Sequence, residues 1–112
     1  MKVWLSFVPP GGGEQDYGME AELPALPRPG DYVMIVRKST GGSEDFIVRR
    51  TLWSLAAVGS DEPLASVTAT VERVTVECEF ALGLMSSGEH KKACERYRTQ
   101  GHPLKEFETS AY

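Results

Sequence analysis

Little in this sequence can hold a fold together covalently. Only two of its 112 residues are cysteine, Cys78 and Cys94, and only two are histidine, His90 and His102. Two cysteines cannot build the bridge network of a small secreted domain, and the close cysteine pairs of structural zinc modules are missing. No run approaches the ~20 apolar residues that a membrane-spanning helix needs. The basic excess typical of nucleic-acid-binding surfaces is also absent: twelve Lys and Arg face sixteen Asp and Glu, a formal net charge of −4. The stretch from Met1 to Val8 starts like a leader, with one base and several apolar residues. Pro9-Pro10-Gly11 ends it without a small-residue cleavage site. The expectation is a cytoplasmic protein with no membrane segment and with its thiols reduced rather than bridged.

What is present points to a single domain over 1–112. A chain of this length buries roughly 60–70% of its unfolded surface, enough for a core without metals or disulfides. Hydrophobic residues at 41% and charged residues at 25% are ordinary for a globular chain and exclude disorder. Eleven Gly and seven Pro suit a fold with many turns.

Alternation with period 2 dominates the pattern. Val3, Leu5 and Phe7 share one face of a first strand, and Pro9-Pro10-Gly11-Gly12-Gly13 breaks it. Met19, Ala21 and Leu23 alternate with Glu20 and Glu22, as in a short edge strand with one wet face. Arg28-Pro29-Gly30-Asp31 fits a type II turn, Pro supplying the fixed φ and Gly the positive φ. Tyr32-Val33-Met34-Ile35-Val36 is continuously apolar and reads as the central strand, buried on both faces. Gly41-Gly42-Ser43 reads as a hairpin loop, and Phe46 to Leu55 as the return strand, bent near Arg49-Arg50.

Residues 67–80 change parity. Val67, Ala69 and Val71 are odd-numbered, whereas Val74, Val76, Cys78 and Phe80 are even-numbered. One strand face can hold both sets only if an extra residue intervenes, so a β-bulge is expected at Glu72-Arg73, with Val71 and Val74 both in the core. Glu77 and Glu79 then read as the solvent face. The helix signal is late. Ser86-Ser87-Gly88-Glu89 reads as a capping box with Ser86 as the cap, and His90, Ala93, Cys94 and Tyr97 share a face. Gly101 is the expected stop, and Leu104 to Thr109 a short last strand.

Four groups of residues invite chemistry. Cys78, His90, Cys94 and His102 cluster late in the chain, with His90 and Cys94 one helical turn apart as two ligands of one zinc ion would be. Their spacing matches no standard metal pattern, so buried packing cysteines are the expected reading and no metal or cofactor is assigned. Gly11-Gly12-Gly13 lacks the Lys-Ser/Thr and helix start of a phosphate loop. Arg37, Arg49, Arg50 and Trp53 flank the proposed hairpin, bases interleaved with an aromatic as on barrels that track single-stranded nucleic acid. Glu14, Asp16, Glu20, Glu22 and Asp31 form an acidic stretch containing one base, Arg28, and suit a basic partner. No nucleophile is placed beside a base by any local motif, so no catalytic residue is assigned and the reading leans away from an enzyme.

Gly30-Asp31-Tyr32-Val33-Met34-Ile35 resembles the Gly-Asp-x-Val strand entry of SH3-like small barrels, PemK-type toxin nucleases among them. The resemblance covers six residues and implies a barrel-like hairpin. The toxin family's following Gly-Ser/His-Glu-Gln and Arg-Pro segments are replaced here, Gly42-Ser43-Glu44 running into Asp45-Phe46, so no activity transfers.

The expected fold is mainly β: a small, curled antiparallel sheet or SH3-like, partly open barrel of five or six strands with one C-terminal helix. The expected function is a non-enzymatic protein-interaction or inhibitor module of phage or mobile-element type, meeting a basic protein partner through its acidic, loop-rich surface. The alternative is a small nucleic-acid-binding barrel, and the third reading a hydrolase or nuclease.

Overall fold

The computed structural model describes residues 1–39, 41–59 and 68–108. They form β1 (Lys2–Val8), β2 (Tyr17–Glu22), β3 (Tyr32–Val36), β4 (Ser43–Val58), β5 (Thr68–Leu82), α1 (Gly88–Thr99) and β6 (Lys105–Glu106). The strands lie in the order β2-β1-β5-β4-β3, with β6 added to β5, and the sheet curls into a half-barrel that carries one helix. The hairpin pairs β1/β2, β3/β4 and β4/β5 are antiparallel. Two pairings are parallel, β1 with β5 and β6 with β5. Both pairs have the long connection that parallel strands need, β5 and β6 being joined through the helix and β1 and β5 through the three strands between them.

The core is built as the alternation requires. Val3, Leu5 and Phe7 of β1, Phe46 and Val48 of β4, and Val74, Val76, Cys78 and Phe80 of β5 are buried on one face. Phe46 stacks on Phe7 at 4.1 Å between ring centres and meets Phe80 edge-on at 5.0 Å. The helix closes one end of this cluster with His90, Cys94 and Tyr97, whose i, i+4, i+7 spacing puts them on one stripe. The His90 ring lies parallel to Phe80 at 5.3 Å.

Two polar devices hold the curl. The Tyr17 hydroxyl, on edge strand β2, donates to Glu44 Oε1 at 2.7 Å, and Arg37 Nε donates to Glu44 Oε2 at 2.5 Å. This clasp ties the β2 edge to the opposite side of the sheet. Burial and the neighbouring Glu44 carboxylate push the Tyr17 hydroxyl pKa up, so it stays a donor. Asp45 is fully buried, and its carboxylate accepts from Ser43 Oγ at 2.8 Å and Ser86 Oγ at 2.5 Å. With Ser43 N bonded to Met85 O at 2.7 Å and Ser87 N to Ser43 O at 2.9 Å, this fixes where the helix begins. Gly42, at φ +70, lies so close to Met85 O and Ser87 that a Cβ there would overlap backbone.

Several expectations are corrected. Tyr32–Val36 is an edge strand, not the central one, which is β5. Tyr32, Met34 and Val36 face outward at 38%, 43% and 71% exposure, while Val33 and Ile35 turn inward. A continuous apolar run has no parity of its own, so sequence pattern could not assign its position. The helix cap is Ser87, which accepts from His90 N at 3.2 Å. Ser86 is drawn off by Asp45 and by Gly83 N. The turn at Arg28–Asp31 is as expected, with Asp31 N bonded to Arg28 O at 2.9 Å and Gly30 at φ +93. Gly101, at φ +92, follows the end of the helix. Val67, the first residue of the expected bent strand, and Thr109, the last of the expected terminal strand, lie outside the described residues.

Candidate functional site

The β4–β5 hairpin outruns the rest of the sheet. β1 accompanies β5 only from Thr75 to Glu79, and β3 accompanies β4 only from Ser43 to Ile47. From Trp53 to Val58, paired with Thr68 to Val74, the two strands continue as a ribbon with no further strand beside them among the described residues. It lengthens the molecule to 52 Å, against 31 and 26 Å across.

Two bulges set the ribbon's geometry. The register shifts between Val48 and Arg50, leaving Arg49 as the extra residue of β4. It shifts again between Ser54 and Leu55, which pair with Arg73 and Val71 and leave Glu72 as the extra residue of β5. The second is the bulge that the parity change at 67–80 demands. Cross-strand partners share a face, so Trp53/Val74, Leu55/Val71 and Ala57/Ala69 lie on one side, continuous with the core face. Leu52/Thr75, Ser54/Arg73, Ala56/Thr70 and Val58/Thr68 lie on the other. The expectation that Val71 shares the face of Val74 therefore holds, whereas its expected burial does not. Val74 is 6% exposed and Val71 55%, because the rest of the barrel stops short of the ribbon. Trp53 at 51% and Leu55 at 56% are equally open.

The first bulge builds the ribbon's root. With Arg49 and Arg50 adjacent and one of them unpaired in the ladder, both guanidinium groups reach the face opposite the core. There Glu77 and Glu79 are buried, not solvated as their alternation implied. Arg49 Nη1 pairs with Glu77 Oε1, Arg49 Nε lies 3.4 Å from Glu79 Oε2, and Arg50 Nε is 3.2 Å from Glu77 Oε2. Lys105 Nζ stands 3.4 Å from Glu79 Oε1, an atom without a hydrogen bond. A cavity of about 260 Å³ opens beside this cluster against Gly30 and Ile47. The loop after β1 reaches Arg49: Gly12, at φ +102, sits against its guanidinium, where a side chain would collide.

This pairing bears on the nucleic-acid candidates. Arg37 is engaged by Glu44, and Arg49 and Arg50 by Glu77 and Glu79, so three of the four named residues have their charge answered within the fold. Trp53 stands apart from them on the ribbon's apolar face. The acidic residues are likewise divided. Asp16 accepts from the Tyr97 hydroxyl and lies 3.9 Å from Arg96, at the helix. Burial and Asp16 push the Tyr97 hydroxyl up to about 12. Glu22 pairs with the terminal amine at 3.0 Å, and Asp31 caps Arg28 N at 2.8 Å on the far side of the sheet from β2. Glu14 and Glu20 are exposed, Glu20 rimming a cleft of about 450 Å³ with Trp4, Val71 and Arg73. Arg73 lies over the Trp4 ring at 4.6 Å.

The Cys/His group is not gathered into one site. Cys78 Sγ faces Val76 O, His102 Nδ1 faces Pro10 O at 3.2 Å, and only Cys94 Sγ and His90 Nε2 converge, both on Ala81 O. Burial, aided by Glu77 for Cys78 and by Asp45 for Cys94, pushes both thiols up to about 12, which makes them poor nucleophiles and poor ligands. Ser86, Asp45 and His90 are neighbours without being a triad. The serine hydroxyl donates directly to the carboxylate, and His90 Nε2 lies 2.8 Å from Ala81 O and 3.2 Å from Asp45 N. Searches of protein families, characterised proteins and solved structures find no match to this chain.

Proposed function

We propose that this protein is a non-enzymatic protein-interaction module that docks through the apolar face of its β4–β5 ribbon, with the acidic β2 side steering a basic partner. One observation carries the reading. Trp53, Leu55 and Val71 stand about half exposed on one face of a projecting ribbon, where the bulge at Glu72 keeps Val71 opposite Leu55 and on the side of Val74. Large apolar groups left together in water mark an interaction surface, since burial of each is worth about 1.5–3 kcal/mol. Steering is assigned to Glu14, Glu20 and the neighbouring Glu22, because net charge of −4 adds to their field. Inhibition of the partner is the role this arrangement suits, a projecting element able to occlude another protein's surface.

The test is Leu55→Lys with Val71→Lys. These positions are exposed, so the melting temperature should stay within a few degrees of wild type while protein association is lost. Glu20→Lys with Glu22→Lys should slow association with a basic partner and flatten its salt dependence. A ribbon variant that keeps every association of the wild type sinks the proposal. Tight RNA or DNA binding with a steep salt slope would move the assignment to the nucleic-acid reading.

A further inference from the structure

The apolar ribbon face raises the question of its occupant. We infer that it is a second copy of this chain, the two ribbons packing face to face and antiparallel about a two-fold axis near Leu55. The inference rests on the reading of the ribbon as a docking face.

Three features point to self-association. The first is a gradient of size. Along the face, Trp53 with Val74 stands nearest the barrel, Leu55 with Val71 in the middle, and Ala57 with Ala69 farthest out. Antiparallel stacking sets the Trp53 end of one ribbon over the alanine end of the other, and Leu55 over Leu55. Large meets small and middle meets middle, as an isologous two-fold interface requires. A parallel pairing would set Trp53 on Trp53 and leave a gap between the alanines.

The second is charge. Of the described ribbon residues from 53–58 and 68–74, only Glu72 and Arg73 are charged, and they are of opposite sign. Arg73 pairs with Ser54 on the other side and reaches over the Trp4 ring, and Glu72 beside it is the unpaired bulge residue. Among the described residues the ribbon therefore sets no net charge against a second copy, although the whole chain carries −4.

The third is area. Six residues, Trp53 to Val58, at about 3.3 Å each and two strands about 5 Å apart give a face roughly 20 Å by 10 Å. With side-chain relief, two such faces remove roughly 600–800 Å² from water, below the ~1,200 Å² of stable interfaces and within the range of weak, transient ones. The dimer should accordingly be weak and concentration-dependent, not obligate.

Sedimentation velocity from about 1 to 500 µM tests this, with a monomer-to-dimer shift expected within the range where small interfaces associate. Leu55→Lys should weaken the dimer at least about tenfold, since it buries a charge in the apolar seam. Leu52→Lys, on the opposite face, should leave it intact. Leu55→Cys should cross-link to its twin with a short bis-maleimide, Cys78 and Cys94 being buried and unreactive. A wild type that is monomeric throughout overturns the inference. If such a monomer still binds another protein through the ribbon, as shown by loss with Leu55→Lys, the proposed function survives alone. A dimer that Leu55→Lys does not weaken also overturns the inference, whatever else the ribbon binds.

Discussion

Arg49→Met tests the claim that the ribbon's root is held by a buried ionic cluster. Arg49 touches both Glu77 and Glu79, whose side chains are 9% and 3% exposed, while its own is 31% exposed. Methionine keeps much of the apolar stem and removes the guanidinium. Glu77 then retains Arg50 at 3.2 Å and Glu79 retains Lys105 at 3.4 Å, so neither carboxylate is wholly abandoned. Breaking a buried pair costs about 3–5 kcal/mol when one charge is left alone. The residual partners and the partly solvated guanidinium reduce this to about 2 kcal/mol. For a chain of this size that is about 8–15 °C in Tm. Urea unfolding should show the loss as a lower midpoint at unchanged slope. The decisive measurement is the double-mutant cycle with Glu79→Gln. Neutralising the carboxylate should recover at least about 1 kcal/mol in the Arg49→Met background while destabilising the wild type. Additive losses, or an Arg49→Met variant as stable as wild type, would mean that the cluster is held by its surroundings and contributes nothing of its own.

Two other outcomes follow from single contacts. Ser87→Ala should lower stability by about 1 kcal/mol, the usual worth of an N-cap hydroxyl, and helix-specific hydrogen exchange at His90 N should report it. The thiols make stability fall in alkali. Both titrate near 12 when folded and near 9 when unfolded, so only the unfolded chain loses their protons as pH climbs past 9. Stability should be full below pH 9 and smaller by about 1 kcal/mol per thiol at pH 10. A flat stability profile from pH 8 to 10, or fast thiol labelling of the native protein, would contradict their burial.

The legible part of the fold was the part governed by local periodicity. Val3, Leu5 and Phe7 announce β1, and Met19 and Ala21 announce an edge strand. His90, Cys94 and Tyr97 announce the helix face. Even the bulge at Glu72 follows from arithmetic, because strand side chains alternate strictly and the apolar set changes parity. The bend at Arg49-Arg50 is the second case of the same kind.

What a strand pairs with, and where its partners end, is decided at long range. Nothing in Tyr32–Val36 says that only one neighbour will pair with it, so an edge strand looks central. Nothing in Val71 says that β1 stops before reaching it, so an exposed residue looks like core. Glu77 and Glu79 look solvated because their arginines lie twenty-seven or more positions away, across a ladder. The sequence by itself determined which residues share a face, because side-chain alternation is a property of the extended backbone. Only the tertiary structure decided which faces are covered, because burial depends on elements brought there from elsewhere in the chain.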